Sequence, residues 1–151
     1  MAVLAALALP AFDSFIATNR IDSYRGSLAS SLKMARAQAV NSQATVVMCA
    51  SADQSSCGGT WVDGWITFAD TDGSGTRAAG TEPVSDVSYG DDNVRVNAQI
   101  NTVTFMATGI RAGGGTEVLS VCHPDTSSTL AGKAVNISPT GSISLTNAAN
   151  C

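Results

Sequence analysis

The run Ile21-Asp22-Ser23-Tyr24-Arg25-Gly26-Ser27-Leu28-Ala29-Ser30-Ser31-Leu32-Lys33-Met34-Ala35-Arg36-Ala37-Gln38-Ala39 carries an apolar side chain at every third or fourth position. Ile21, Tyr24, Leu28, Leu32, Ala35 and Ala39 therefore line one face of a 3.6-residue helix. Arg20, Arg25, Lys33 and Arg36 fall largely elsewhere, which makes residues 20–41 an amphipathic helix. Its stripe needs a cover, and a sheet can supply one.

Upstream the chemistry changes. Met1 to Ile16 is nearly all apolar, interrupted by Pro10 and by Asp13-Ser14. Proline lacks an N–H and crowds the preceding turn, so a helix through Pro10 should kink there. A membrane span needs about 20 apolar residues, and a secretory signal opens on a basic segment. This run is too short, with no Lys or Arg before Arg20. Its abrupt start is what is expected of a hydrophobic helix whose upstream half is missing. Leu4, Leu7, Leu9, Pro10, Phe12, Phe15 and Ile16 are then residues for packing against lipid or other helices. We divide the chain into an apolar helix remainder, residues 1–19, and a globular head, residues 20–151.

At 151 residues the chain suits one domain with a core of its own. Charged residues make up 13 %, and 8 Lys and Arg stand against 12 Asp and Glu, a net charge of -4. Phosphate contact needs clustered cations, so this balance argues against a general nucleic-acid binder.

After Asn41 the period becomes that of strands. Thr45 to Cys49 and Trp65 to Phe68 are β-rich runs. Later segments alternate: Val94 and Val96, Val103 and Phe105, Leu119 and Val121, Val135 and Ile137, Ile143 and Leu145. Ser138-Pro139-Thr140-Gly141 has the composition of a type I turn, joining the last two strands as a hairpin. Thr76 to Asn93, with Gly80, Pro83, Gly90 and three aspartates, suggests an exposed loop.

Cys49, Cys57, Cys122 and Cys151 are widely spaced with no C-x-x-C pair, which suits disulfides in an exported protein better than zinc. Four cysteines allow three pairings. We expect Cys49 with Cys57, closing a Ser/Gly-rich loop, and Cys122 with Cys151, pinning the C-terminus. The chain-entropy relation gives roughly 2.5 kcal/mol for the shorter loop and roughly 3.5 kcal/mol for the longer. A zinc site through His123 is disfavoured by its place directly beside Cys122.

No residue constellation reads as catalytic. His123 is the sole histidine, and there is no G-x-S-x-G or closely spaced carboxylate pair with a nucleophile. Asp70-Thr71-Asp72-Gly73-Ser74-Gly75 imitates the opening of a calcium loop, but Thr81 stands where the bidentate Glu belongs, so a solvated turn is expected. Gly113-Gly114-Gly115 lacks the Lys and following helix of a phosphate cradle and reads as an inter-strand loop. Trp61 and Trp65 are expected to pack on the helix stripe.

An apolar helix with a proline, an amphipathic continuation and a β domain occur here in that order. Leu7-Ala8-Leu9-Pro10-Ala11-Phe12 followed by Asn19-Arg20 resembles the middle of the N-terminal helix of type IV pilins and pseudopilins. Leu32 to Val40, Val46-Val47-Met48-Cys49, Gly64-Trp65-Ile66-Thr67-Phe68 with Asp70, and Phe105 with Gly109 resemble the branch that includes FimU, FimT and GspH, and the FimU-like minor pilins most. The resemblance covers nearly the whole chain.

It implies an α+β pilin-like fold, a long N-terminal helix packed against an antiparallel sheet. It also implies a structural, non-enzymatic, low-abundance pilus subunit that helps initiate assembly and joins a tip complex of minor pilins to the major filament. The implied partners are other minor pilins, the major pilin and the inner membrane, with no cofactor and no small-molecule substrate. The implied location is the inner membrane and periplasm before assembly, then the surface pilus. The family's Phe-led mature N-terminus with Glu at its fifth position is absent, which fits truncation. The DNA-uptake members carry a basic G-R-x-R motif, whereas Gly141-Ser142-Ile143-Ser144 stands here and lacks both arginines. That disfavours a DNA receptor and leaves a type II secretion pseudopilin as the alternative.

Overall fold

The computed structural model describes the backbone of residues 3–148 and 151, with helix side chains from Phe12 onward. One helix, α1 (Val3–Ser42), precedes eight strands: β1 (Val46–Ala50), β2 (Gly64–Ala69), β3 (Val84–Tyr89), β4 (Arg95–Asn97), β5 (Thr102–Phe105), β6 (Glu117–Cys122), β7 (Lys133–Ile137) and β8 (Ile143–Asn147). The helix runs through Pro10 and across residues 19 and 20 without a break. It ends where Gln43 takes a left-handed φ of 51° and the Ala44 N–H reaches back to Ala39 O at 3.3 Å. That six-to-one bond satisfies a carbonyl the last turn leaves unpaired.

The six stripe residues Ile21, Tyr24, Leu28, Leu32, Ala35 and Ala39 are all buried, and Ala29 joins them. They share one core with Val46, Met48, Trp65, Phe105, Leu119, Val121, Val135 and Ile137. The strands meet the helix in two antiparallel sheets, β3-β2-β1-β5 and β4-β6-β7-β8. A single sheet was the expectation, and the division into two corrects it. Alternation tells which side of a strand is buried but not which strand lies beside it. Here β4 pairs with β6 rather than with its sequence neighbour β5.

Strand β1 is buried on both sides, and its alternation splits two cores. Val46, Met48 and Ala50 face the helix core, while Val47 and Cys49 join Ile66 and Phe68 on the far side of the sheet, with Cys57 and Val84 packed against them. Cys49 and Cys57 are disulfide-bonded with Cα atoms 5.5 Å apart, so the bridge itself helps cover that second core. Cys122 and Cys151 form the other disulfide, with Cα atoms 5.6 Å apart.

Strand β3 lies inside the segment expected to be a loop. Its pattern is inverted: Asp86 and Ser88 point inward, while Val87 and Tyr89 point to solvent. The inward carboxylate is usable because Ser31 Oγ on the helix donates to Asp86 Oδ2 at 2.8 Å. Both tryptophans are buried against the stripe. Tyr24 donates to Trp61 O at 2.5 Å and meets the Trp65 ring edge-on, centroids 5.5 Å apart at 87°. Trp61 Nε1 donates to Ile100 O at 2.7 Å, so a ring before β2 anchors the loop before β5. Burial, then the nearby charges of Asp91 and Asp63, raise the Tyr24 hydroxyl above its usual range and keep it a donor. The turn at Ser138 to Gly141 closes as a hairpin, with Gly141 N–H bonded to Ser138 O at 2.9 Å and Ile137 opposite Ile143.

Truncating Leu28 to Ala should lower unfolding stability by about 2–5 kcal/mol, because the residue sits in the middle of the helix–sheet core. Met34→Ala, on the exposed side of the same helix, should stay within about 0.5 kcal/mol in the same denaturant titration.

Candidate assembly surface and loop sites

The helix has two environments. From Ile21 onward its stripe is the spine of the head, whereas Phe12 and Phe15 are 62 % and 64 % exposed and Ile16 is 40 % exposed. At 1.5 Å per residue, the helical part ahead of Ile21 is about 27 Å long. Leu4, Leu7, Leu9 and Pro10 lie on this arm, but their side chains fall outside the described residues. Among the described residues no helix is long and apolar enough to cross a membrane. Solvent-facing Phe12, Phe15 and Ile16 on a rod that continues into a folded head are an unpartnered apolar surface of the kind that marks an interface.

The far end of the head-bound helix is latched to two loops at once. Arg36 Nε donates to Gly109 O at 3.0 Å, and Arg36 Nη2 donates to Thr140 O at 3.3 Å. Gly109 and Gly141 both have left-handed φ, 77° and 78°. A Cβ on Gly141 would meet Gly109 O at 2.0 Å and Arg36 Nε at 2.9 Å. The turn between β7 and β8 thus presses its bare backbone onto the loop between β5 and β6, and the Arg36 guanidinium ties both to α1. Gly141-Ser142, the place where an arginine-bearing motif was looked for, is occupied by this contact.

Several loops carry polar chemistry. Asp53 accepts bonds from the Ser56 side chain and the N–H groups of Ser55 and Ser56, which hold its carboxyl well below the usual range. It closes the disulfide loop between β1 and β2. Arg111 is 5 % exposed and donates to the carbonyls of Ala112, Gly113 and Gly115, with Glu117 at 3.7 Å. The triple-glycine loop is therefore a wrap of carbonyls around a buried cation, which sequence spacing alone did not reveal. His123 Nδ1 accepts the Asp125 N–H at 3.1 Å, a local turn, and its neighbour Cys122 is in a disulfide.

The segment after β2 brings three carboxylates together. Oxygens of Asp70, Asp72 and Glu82 lie within 4.8 Å of one another. Glu82, not Thr81, reaches the two aspartates, because the Thr81 and Glu82 N–H groups both turn back onto Ala78 O, at 3.1 and 2.9 Å. Glu82 accepts N–H bonds from Ala78 and Thr71, which keep its carboxyl below its ordinary range. The signal available in the sequence was a glutamate one residue late.

A groove of about 660 Å³ lies over β4, β6, β7 and β8, lined by groups such as Asn97, Ser120, Asn136 and Thr146. None of its lining residues is ionisable, so it offers no acid, base or nucleophile pair.

The family description "Type II transport protein GspH" matches residues 26–141. A comparison with curated proteins found no significant match. In fold the chain is similar to the type IV minor pilin FimU of Pseudomonas aeruginosa, solved in two crystal forms. The first has a TM-score of 0.67 at 20 % identity, covering 91 % of this chain and 98 % of that one. The second has a TM-score of 0.67 at 19 % identity, covering 86 % and 98 %. The minor pseudopilin EpsH from the type 2 secretion system of Vibrio cholerae aligns with a TM-score of 0.57 at 11 % identity, covering 81 % of this chain and 92 % of that one. At these identities the likeness is one of fold: a long N-terminal helix packed on antiparallel sheets.

Gly141→Ala should be markedly more destabilising than Gly73→Ala in thermal unfolding. Both positions have left-handed φ, but an added Cβ meets open space at Gly73 and the Gly109 carbonyl at Gly141. The backbone strain common to both is about 1–3 kcal/mol, and the excess at Gly141 measures the latch.

Proposed function

We propose, from the premise that this chain belongs to the GspH family of type II transport proteins, that it is a minor type IV pilus subunit with a structural role. It takes part in initiating pilus assembly and joins a tip complex of minor pilins to the major filament. The observation that carries this reading is the apolar arm. Phe12, Phe15 and Ile16 are exposed on a helix whose next turns are the buried spine of the head. Such a helix passes any load on its neighbours directly into the head's core.

Residues 1–19 are the packing segment, with Leu4, Leu7, Leu9 and Pro10 beside Phe12, Phe15 and Ile16, and residues 20–151 form the head. Head surfaces that meet other minor subunits include the edge strand β3, where Val87 and Tyr89 are exposed. Before assembly the protein sits in the inner membrane and periplasm, and afterwards in the pilus. The role needs no catalysis, cofactor or small-molecule substrate. DNA capture is disfavoured by the net charge of -4 and by the use of Gly141-Ser142 as a tight turn.

A second reading, a pseudopilin of a type II secretion system, is favoured by the wording of the family description. The two part on phenotype: loss of pili and twitching on deletion for the first, loss of exoprotein release with intact pili for the second.

Phe15→Asp in the full-length precursor should leave the head's unfolding free energy within about 0.5 kcal/mol, since the side chain is exposed. The same change should remove the subunit from sheared filaments and reduce piliation. Normal piliation and normal secretion after deletion of the subunit would end both readings. Purified protein should give a flat titration with duplex DNA at low salt.

A further inference from the structure

We propose that Asp70, Asp72 and Glu82 form a calcium site that ties the segment after β2 to the face of the first sheet. Three carboxylates alone would not carry this. The second observation is the state of Asp70: the residue is 7 % exposed, its Oδ2 accepts the Gly75 N–H at 3.0 Å, and its Oδ1 is buried with no hydrogen-bond partner. A buried carboxylate oxygen without a donor is costly, and a cation beside it offsets that cost. No cationic side chain fills that role. Among the described residues the ion pairs are Arg20–Asp91, Arg25–Asp22 and Arg111–Glu117, none of which involves the cluster. Arg77 is close in sequence, but its Nε donates to the backbone carbonyl of Glu82 and its Nη1 to that of Ser55.

The geometry suits one ion. Three oxygens within 4.8 Å of one another share a point no more than about 2.8 Å from each, so a shift of a few tenths of an ångström brings all three to the calcium–oxygen distance of about 2.3–2.6 Å. Hard anionic oxygens select calcium or magnesium over softer metals. The three carboxylates come from an irregular turn and differ in reach, which fits the flexible coordination of calcium better than the strict octahedron of magnesium. Asp70 and Glu82 are buried and Asp72 is exposed, so the site has a floor and an open mouth at which water completes the shell.

Binding has a structural consequence. The segment is linked through Arg77 to Ser55 in the disulfide loop, and it leads into Val84, which packs with Cys57 of that loop against the second core of Val47, Cys49, Ile66 and Phe68. An ion holding Asp70, at the end of β2, to Glu82, just ahead of β3, closes the connection between two paired strands.

The test is thermal unfolding of the chelator-stripped full chain, titrated with calcium chloride and, at matched ionic strength, with magnesium chloride. The expected result is a saturable rise in Tm with calcium, with a Kd of about 10⁻⁴–10⁻³ M, as in extracellular calcium modules. Asp72→Asn, which keeps an oxygen to accept the Ser74 N–H, should weaken the calcium response at least about tenfold by removing one charged ligand. Asp125→Asn, the same charge change in a distant exposed turn, should leave it intact. No calcium-dependent shift up to about 10 mM, ten times the weak end of that range, would overturn the proposal. An equal shift with magnesium, or a calcium response undiminished in Asp72→Asn, would overturn it as well.

Discussion

Everything in this molecule is arranged around one helix face that must be kept from water by two sheets at once. Along this face Ile21, Tyr24, Leu28 and Leu32 are large, and Ala35 and Ala39, toward the C-terminal end of α1, are small. At that end Gly109 and Gly141 converge on the Arg36 side chain, with Val40 beside Gly109. Large residues at the other end meet the large rings of Trp61 and Trp65.

Because both sheets rest on the same face, neither can move without disturbing the helix. The first contributes β1 and β5 to the core, the second β6 and β7, and the chain crosses between them at β4 and β5 instead of finishing one before starting the other. Such interleaving makes each sheet depend on the other's strands being in place. The two disulfides act at different points of this arrangement. One lies over the outer face of β1, and the other ties the end of β6 to Cys151. A head stapled in this way is a rigid attachment for a helix that carries apolar side chains into its surroundings.

The helix and the buried sides of most strands were legible because periodicity encodes them directly: steps of three and four for α1, and alternation for β5, β6 and β7. The final hairpin was legible from Pro139 and Gly141, whose backbone preferences are local. Strand β3 was not, because its inward residues are Asp86 and Ser88 and its outward ones Val87 and Tyr89, the reverse of what alternation leads one to expect. The helix residue Ser31, 55 positions away, makes the inward carboxylate acceptable. Sheet membership was hidden for a related reason, since pairing between β4 and β6 is a long-range choice that no short window contains. The carbonyl wrap around Arg111 and the arrival of Glu82 beside Asp70 and Asp72 also depend on turns that fold segments back on themselves.

The apolar arm follows from the same physics as the core. Phe12, Phe15 and Ile16 continue the helix beyond the point where the sheets end, so among the described residues these apolar side chains find no cover. Aromatic rings on a solvent-facing helix gain nothing from a monomer in water, whereas neighbouring helices in a bundle or lipid tails bury them at about 25 cal/mol per Å². Continuity of backbone from Val3 to Ser42 makes the exposed arm and the buried stripe two ends of one rod. The head is then oriented by whatever surrounds the arm, and its loops face outward from a position set some turns away. That coupling is the mechanical property a subunit needs when its place in an assembly, and not a reaction, is its output.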